Sequence, residues 1–196
     1  MALLRQFSVF CIGLCLCCGG LQARVYESKW FSIKFPDDWT LYETSKIAEN
    51  DGVGGRYDFK DGAMGLEACS SWGFSLNIPF LSQTLDQSDS QQKIKEFVLK
   101  GAGKHCVNVE FTKLAVITVE DEQCVEVQWN AIVTKKCRLP VPLGQRVFFS
   151  QCFIPSTFNW GNYVVLGYST QWNENVQSKI SSVRSTFRRC VNDVKK

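Results

Sequence analysis

The sequence predicts an α+β fold in which helices cover an antiparallel β-sheet. Apolar residues occupy every second position from Val125 to Val133, which is typical of a strand with one buried face. A near-continuous apolar run over Tyr163–Tyr168 indicates a central strand that is covered on both faces. A stripe at helical spacing predicts a closing helix that packs on the sheet. Its members are Val176, Ile180, Val183, Phe187 and Val191.

The N-terminus has the features of a cleaved secretory signal over residues 1–23. Arg5 supplies a positive charge, and the uncharged run Phe7–Cys18 is shorter than the roughly 20 residues that a bilayer span needs. Two glycines and Leu21–Ala23 follow, ending in the small residue that a signal peptidase requires. We therefore expect an exported chain, periplasmic or secreted, without a later transmembrane segment. Its single mature domain would cover residues 24–196.

Two other interpretations of the N-terminus remain open. The apolar run can form a buried helix of the domain instead of a signal. It can also belong to a lipoprotein signal, because Cys15, Cys17 and Cys18 follow it. The residues that precede these cysteines are not the small ones usual before a lipidated cysteine, which disfavours the lipoprotein interpretation.

Short strands separated by turn residues open the mature domain. Alternating apolar residues over Phe31–Phe35 predict a strand, and Pro36–Asp38 predicts a turn before a short strand over Trp39–Tyr42. Residues 46–55 contain Asn-Asp-Gly and a glycine pair, which predict a loop. A further strand is expected over Arg56–Lys60, followed by a tight turn.

A longer strand and a helix come next. The strand begins at Met64, and its period of two continues to Phe80, where Pro79 should end it. One of the polar residues over Ser88–Ser90 is expected to cap the helix, and Gly101 is expected to end it in a left-handed conformation. The apolar face of this helix consists of Ile94, Phe97 and Val98.

Four strands then form a predicted meander. The first covers Val107–Val119, with its apolar residues on one parity apart from Lys113. An acidic turn over Glu120–Glu122 leads into the alternating strand described above. The third strand is Arg146–Ile154, and a hairpin turn over Asn159–Asn162 precedes the last one.

Two segments resemble the PsbP-like domains. Phe31-Ser32-Ile33-Lys34-Phe35-Pro36-Asp37-Asp38-Trp39 resembles the F-x-h-x-h-P-x-x-W start of that family. Tyr163–Ser169, with a helix closing on Ser185-Thr186-Phe187, is similar to its last strand and helix. By element order the resemblance covers about residues 29–190. It implies a PsbP-like sandwich, an exported bacterial member, and a non-enzymatic binding or assembly role. No functional residue of the family maps onto this chain.

The charge pattern argues against nucleic-acid binding. The full chain has a formal net charge of +3, and removal of residues 1–23 leaves +2. The charges of both signs are interspersed, so the chain lacks the basic face that nucleic acid requires. We therefore expect no nucleic-acid partner.

Six cysteines remain after the signal, and an even number in an exported chain indicates structural disulfides. The candidates are Cys69, Cys106, Cys124, Cys137, Cys152 and Cys190. The alternative for any one of them is a buried thiol that packs as a small apolar group. Because these six cysteines include no C-x-x-C pair and form no Cys/His cluster, we expect no metal site and no cofactor.

No catalytic residues are predicted. His105 is the only histidine and adjoins Cys106, but adjacent side chains point apart and do not form a catalytic pair. Gly101–Lys104 lacks the spacing of a phosphate-binding loop. The chain is therefore expected not to be an enzyme, although an exported hydrolase is not excluded.

The function expected from these features is an exported, soluble, non-enzymatic binding or assembly module. Its partner would be a protein in the envelope or outside the cell. Trp160, in the predicted turn before the last strand, is the candidate binding residue because an exposed aromatic side chain can anchor a partner. The alternative is an envelope or surface structural protein cross-linked through its cysteines.

Overall fold

A computed structural model describes residues 23–44, 52–71, 76–136, 139–155 and 162–190. The predicted signal peptide, apart from Ala23, lies outside the described residues. The strands of the described ranges are β1 Arg24–Glu27, β2 Phe31–Phe35, β3 Thr40–Glu43, β4 Gly52–Phe59, β5 Gly62–Ser71, β6 Cys106–Val119, β7 Glu122–Val133, β8 Arg146–Pro155, β9 Asn162–Ser169 and β10 Arg188–Arg189. The helices are α1 Ile78–Gln83, α2 Ser88–Ala102 and α3 Glu174–Arg184.

The strands form two antiparallel sheets. The larger has the order β3-β4-β5-β9-β8-β7-β6, and the smaller has the order β1-β2-β10. Every pair of neighbouring strands is antiparallel. This confirms the α+β class and the predicted meander, which is β6 to β9.

The side chains of β7 alternate between the two faces of the large sheet, and the core has one layer on each face. Val125, Val127 and Trp129 point toward α1 and α2, where they pack with apolar residues of both helices. Cys124 points to the other side, where α3 and the small sheet cover the large sheet. We call these two sides of the large sheet the α2 face and the α3 face.

Strand β6 does not keep one parity along its length, contrary to the sequence prediction. Its pairing with β7 is irregular between Val107 and Glu110 and again between Phe111 and Lys113. Each bulge adds a residue, so the side chains after it change faces. Phe111 consequently packs on the α2 face, whereas Ile117 packs on the α3 face.

The prediction that the strand beginning at Met64 continues to Phe80 is wrong at its end. Ile78–Gln83 is helix α1, with Pro79 in its first turn. Proline suits that position because the first backbone N–H groups of a helix have no intrahelical acceptor. Trp72 and Phe74, which carried part of the strand pattern, lie outside the described residues.

The loop predicted over residues 46–55 is also wrong at its end, because Gly52–Gly55 belongs to β4. Glycine is required there by close packing. A Cβ atom on Gly54 would lie 2.3 Å from the ring of Tyr42, and one on Gly55 would lie 2.4 Å from the ring of Phe35. These glycines therefore allow aromatic rings to cross the strand.

Both long helices differ from their predicted ends. The cap residue before α2 is Gln87, and no side chain caps this end, so the predicted cap within Ser88–Ser90 is wrong. Gly101 lies inside α2, and Gly103, the residue after the helix, has a right-handed conformation with a φ angle of −61°. Helix α3 ends at Arg184, before Phe187.

Phe187 nevertheless belongs to the core. Its side chain is fully buried, and its ring lies 5.4 Å from the rings of both Phe31 and Tyr163. The chain after α3 therefore continues the predicted apolar stripe without continuing the helix. Val191, the last member of that stripe, lies outside the described residues.

Candidate binding sites

A cleft of about 840 Å³ opens on the α3 face, between α3 and the β6–β7 hairpin. We call it the charged cleft, because most of its lining side chains are ionisable. Its basic residues are Lys113, Arg184, Arg188 and Arg189. Its acidic residues are Glu120, Asp121 and Glu126.

A buried ion pair forms the floor of the charged cleft. Arg184 from α3 and Glu126 from β7 are each 5% exposed. Arg184 Nη1 donates to Glu126 Oε1 at 2.6 Å. The hydroxyl of Ser150, from β8, donates to the same oxygen at 2.7 Å, and Lys113 Nζ lies 3.2 Å from Oε2. Both carboxylate oxygens therefore have partners.

This environment sets the pKa of the Glu126 carboxyl. Burial alone would raise that pKa, but the positive charge of Arg184 and the hydrogen bonds from Arg184, Ser150 and Lys113 lower it to about 2. Glu126 is consequently ionised at neutral pH. The cleft floor is a fixed pair of opposite charges rather than a proton-transfer group.

A strained hairpin turn forms the lip of the same cleft. Glu120 and Asp121 have φ angles of 51° and 65°, in the left-handed region that is unfavourable for residues other than Gly, Asn and Asp. The Glu120 carboxylate accepts the backbone N–H of Arg189 at 3.0 Å and its Nε at 3.3 Å. Strand β10 therefore holds the turn from outside the hairpin. Asp121, the second residue of the turn, is exposed at the cleft lip.

A second concavity, of about 390 Å³, lies on the α2 face and is called the α2 cavity. The C-terminal half of α2 covers it with Phe97, Val98 and Ala102. The sheet beneath contributes Phe149 and Leu166. The cavity is therefore mainly apolar and lies on the opposite side of the large sheet from the charged cleft.

Two ring nitrogens at the α2 cavity have no hydrogen-bond partner among the described residues. Trp129 is 6% exposed, and its ring is stacked on Phe149 with centroids 4.0 Å apart. Its Nε1 is buried without an acceptor, and Nδ1 of His105 is buried without a partner. Buried polar groups are normally hydrogen-bonded, so two such atoms at one cavity indicate a place where a further group can bind.

The far end of the α2 cavity contains a buried carboxylate, Glu67, which is 2% exposed. The hydroxyl of Tyr42 donates to Glu67 Oε1 at 3.2 Å, and it also lies 3.1 Å from the hydroxyl of Tyr168. Burial, with the nearby charge of Glu67, raises the pKa of Tyr42 and of Tyr168 well above the usual tyrosine range. Both hydroxyls therefore remain protonated at neutral pH.

Among the predicted disulfide residues, the structure brings Cys124 and Cys152 together. They lie on neighbouring strands with buried side chains on the α3 face, and their thiols share a hydrogen bond. This hydrogen bond and burial raise the pKa of Cys152 well above its usual value. No disulfide joins any of the described cysteines.

The other candidate residues are dispersed. Cys69 and Cys106 pack at the α2 face from β5 and β6, which lie four strands apart in the sheet order. Cys190 follows β10, where its thiol donates to the carbonyl of Ser28 at 3.3 Å. Cys137 and Trp160 lie outside the described residues, so their predicted roles remain predictions.

Three features of the described chain bear on chemistry and membrane association. His105 lines the α2 cavity beside its neighbour Cys106. The described ranges contain no cluster of three or more His, Cys, Asp or Glu residues that would suit a metal ion. None of the described helices combines the length and apolar character needed to span a bilayer.

The sequence analysis named Phe97 and His105 without predicting that they line a cavity, and it missed the ion pair of the charged cleft. Glu126 stands at the polar positions of an alternating strand, a pattern that normally indicates exposure to solvent. Its partner Arg184 is 58 positions away. One feature of the sequence could have indicated the pair. Arg184 directly follows Val183 and stands four positions after Ile180, so it lies beside the apolar face of α3 rather than on its polar face.

Comparisons with known proteins support the fold. No family model and no curated protein matches this chain. The structure is similar to the solution structure of cyanobacterial PsbP (CyanoP) from Synechocystis sp. PCC 6803, with a TM-score of 0.51 and 14% sequence identity. The match covers 91% of this chain and 98% of that one. The chain therefore has a PsbP-like fold, as the two sequence segments predicted.

Proposed function

We propose that this chain is an exported, non-enzymatic binding or assembly module that takes a protein partner at the charged cleft. The observation that carries this proposal is the strained acidic turn Glu120–Asp121 at the cleft lip. A two-residue hairpin turn of this type has a positive φ angle at both central residues, which Asp121 tolerates but which costs Glu120 roughly 1–2 kcal/mol. Strained backbone of this kind is concentrated at functional sites, where the surrounding structure maintains it.

The charges around the turn support a protein partner. Arg188 exposes 58% of its side chain and Lys113 exposes 51%, while Asp121 is exposed on the lip. The Arg184–Glu126 pair below them is fixed by hydrogen bonds and does not need to reorganise when a partner arrives. Charges of both signs in fixed positions favour specific pairing with a complementary protein surface.

A non-enzymatic role is supported by the state of the buried titratable groups. Glu126 has a pKa of about 2, and the pKa values of Tyr42 and Tyr168 are raised. None of these three groups changes its protonation near neutral pH, whereas an acid–base catalyst works best with a pKa close to the operating pH. A hydrolase would need a differently tuned pair of groups.

Export is tested by sequencing the N-terminus of the protein recovered from its native compartment. The signal pattern predicts that the mature chain begins at Arg24, the first residue of β1. A chain that still carries Met1, or one that begins with a lipidated cysteine, would contradict this part of the proposal.

Partner binding is tested by affinity capture from that compartment with a matched pair of charge reversals. Asp121→Lys reverses a charge at the cleft lip, and Asp86→Lys reverses one on the exposed connection between α1 and α2. A partner that the wild type and Asp86→Lys retain, but Asp121→Lys loses, supports the proposal. Equal retention by all three proteins would place any partner elsewhere.

The alternative of a cross-linked structural protein is tested on the same material. A non-reducing gel should show a discrete monomer if the chain is a binding module. A ladder that collapses on addition of reductant would instead support intermolecular disulfides. Cys124 and Cys152 are buried and cannot reach a second chain, so a ladder would have to form through the other cysteines.

A further inference from the structure

Strand β6 forms one edge of the large sheet. It is the last strand in the sheet order of the described residues, with β7 as its neighbour on the inner side. Its second half, Leu114–Val119, pairs with β7 without a bulge. Val116 is 38% exposed, and Thr118 is exposed as well. A regular, exposed edge of this kind offers its backbone groups to a further strand.

The hairpin geometry identifies the backbone groups of β6 that point outward. Val119 pairs with Glu122 across the two-residue turn, and residues that flank such a turn exchange hydrogen bonds with each other. Hydrogen-bonded and non-hydrogen-bonded pairs alternate along an antiparallel ladder. Every second residue back from Val119 therefore bonds to β7, whereas Leu114, Val116 and Thr118 direct their N–H and C=O groups away from it.

The faces of the side chains restrict the registers in which two copies of β6 could pair. Ile117 and Val119 pack on the α3 face, and Lys113 reaches Glu126 on the same side. Leu114 packs on the α2 face. Two copies joined antiparallel about a two-fold axis keep like faces together, so a residue of the α3 face lies opposite another residue of that face.

One of these registers joins opposite charges. A pairing centred on Ile117 brings Lys113 of each copy to Asp121 in the hairpin turn of the other. Lys113 exposes 51% of its side chain, and Asp121 is exposed too. A pairing centred on Val116 would instead set Lys113 against the apolar Val119. Because opposite charges across a strand pair stabilise it, charge selects the register centred on Ile117.

From these features we propose that the edge of β6 pairs with the same edge of a second copy of this chain, antiparallel and centred on Ile117. The outward backbone groups supply the hydrogen bonds, and two contacts between Lys113 and Asp121 fix the register. This inference rests on the proposed function and deepens it, because it names a second copy as the protein that contacts the lip of the charged cleft. The two large sheets become one continuous sheet, with both charged clefts on the same side.

Sedimentation equilibrium of purified protein that begins at Arg24 tests the pairing over a series of concentrations. Reductant is present throughout, so that disulfide-linked species do not contribute. We expect a reversible equilibrium between a monomer and a dimer of twice its mass. A monomer at every concentration would overturn the inference. If such a monomer still captured a partner that Asp121→Lys loses, the proposed function would stand, so the two failures are distinguishable.

Val116→Pro tests whether the edge of β6 makes the contact. Proline lacks the outward N–H group and is tolerated on an edge strand when that side faces solvent. The variant should dimerise at least tenfold more weakly, because the hydrogen bond is lost in both copies. Ser88→Pro, at the first position of α2 where proline suits a helix, is the matched control and should dimerise like the wild type. Wild-type dimerisation by a folded Val116→Pro protein would overturn the edge.

Two further outcomes would assign the edge to a different occupant and overturn the second copy. A monomeric protein whose captured partner is lost by Val116→Pro would indicate a strand of another protein. A chain that dimerises only after removal of residues 191–196 would indicate that this segment, which lies outside the described residues, occupies the edge.

A charge swap tests the register and does not depend on the proline variant. Asp121→Lys and Lys113→Glu each place like charges at both contacts, so each variant alone should dimerise about tenfold more weakly than the wild type. When the two variants are mixed in equal amounts, opposite charges meet again at both contacts. The mixture should therefore form a heterodimer with nearly wild-type affinity. A mixture of folded variants that stays monomeric would overturn the register centred on Ile117.

Discussion

The two faces of the large sheet bury different kinds of polar group. On the α3 face Arg184 donates to the Glu126 carboxylate, and Ser150 donates to the same oxygen. On the α2 face the Tyr42 hydroxyl contacts Glu67 and Tyr168, and the indole N–H of Trp129 is buried. Each face keeps a buried nitrogen that has no partner among the described residues, Nε of Arg184 on one face and Nε1 of Trp129 on the other. The difference therefore lies in the charge of the groups, because the ion pair fixes two opposite charges at the floor of a cleft, whereas an indole N–H carries none.

The largest expected effect is the loss of packing at Phe187 on the α3 face. Phe187→Ala should lower the free energy of unfolding by about 3–5 kcal/mol, because a fully buried ring that contacts Phe31 and Tyr163 is replaced by a cavity. Phe97→Ala on the α2 face is the comparison, and its half-buried ring should cost less. Denaturant melts of both variants measure the difference. A loss near zero for Phe187→Ala would mean that the segment after α3 does not pack on the sheet.

The next effect tests whether the α3 face depends on its ion pair. Arg184→Met should lower the free energy of unfolding by about 3–5 kcal/mol, because it leaves the Glu126 carboxylate buried without its main partner. The double variant Arg184→Met with Glu126→Leu should recover much of that loss, since both buried charges are then absent. Chemical denaturation of the wild type, the single variant and the double variant measures the three free energies of unfolding. A double variant no more stable than the single one would show that the pair does not act as a unit.

The sequence was informative where one pattern continued through a whole element, the alternation of β7 and the apolar run of β9. It failed where a local rule intervened. Pro79 begins a helix although the period of two continues through it, and the bulges of β6 change the face of Ile117 relative to Phe111. The Arg184–Glu126 pair could not be predicted from the sequence for a different reason. Only the packing of α3 on β7 brings these two residues together. The α2 cavity likewise depends on three-dimensional packing.

The pH dependence of stability should distinguish the two faces further. Glu126 has a pKa of about 2 in the folded protein and about 4.5 when unperturbed. A lowered folded-state pKa contributes stability that is fully present above about pH 4.5 and is lost as the pH falls toward 2. Glu126→Gln should therefore be less stable than the wild type at neutral pH, with the gap closing in acid. Denaturant midpoints between these pH values provide the measurement, and a constant gap would refute the assignment.

A smaller effect concerns the strained turn. Asp121→Gly keeps a φ angle of 65° that aspartate also tolerates, so it should change the free energy of unfolding by no more than about 0.5 kcal/mol. Asp121→Asn removes the charge but tolerates the same backbone conformation, so its stability should stay close to that of the wild type. Thermal melts compare the two variants. If the turn serves binding, both should lose partner affinity while remaining fully folded, and retention of full affinity would show that the charge is not used.

The smallest expected effect is that of a reducing agent on Cys124 and Cys152 of the α3 face, because we expect no disulfide between them. Cys152 lies directly opposite Glu126, so Cys124 is its diagonal neighbour two positions along β7. Diagonal Cα atoms in a sheet are about 7–8 Å apart, beyond the roughly 7 Å limit for an unstrained disulfide. Both residues should therefore remain thiols even in protein from an oxidising compartment. They should resist alkylation in the native state, because they are buried and hydrogen-bonded to each other, and react once the chain is unfolded.

Thiol counting on that unfolded protein extends the test to the remaining cysteines. In the structure no disulfide joins the described cysteines, which agrees with a count above two. A count of two, mapped to Cys124 and Cys152 by peptide analysis, would instead support disulfides among the other four cysteines, as the even number of cysteines in an exported chain predicts. A disulfide between Cys124 and Cys152 would contradict the diagonal geometry. Reduction would then lower the melting temperature, because it would remove a covalent link between β7 and β8.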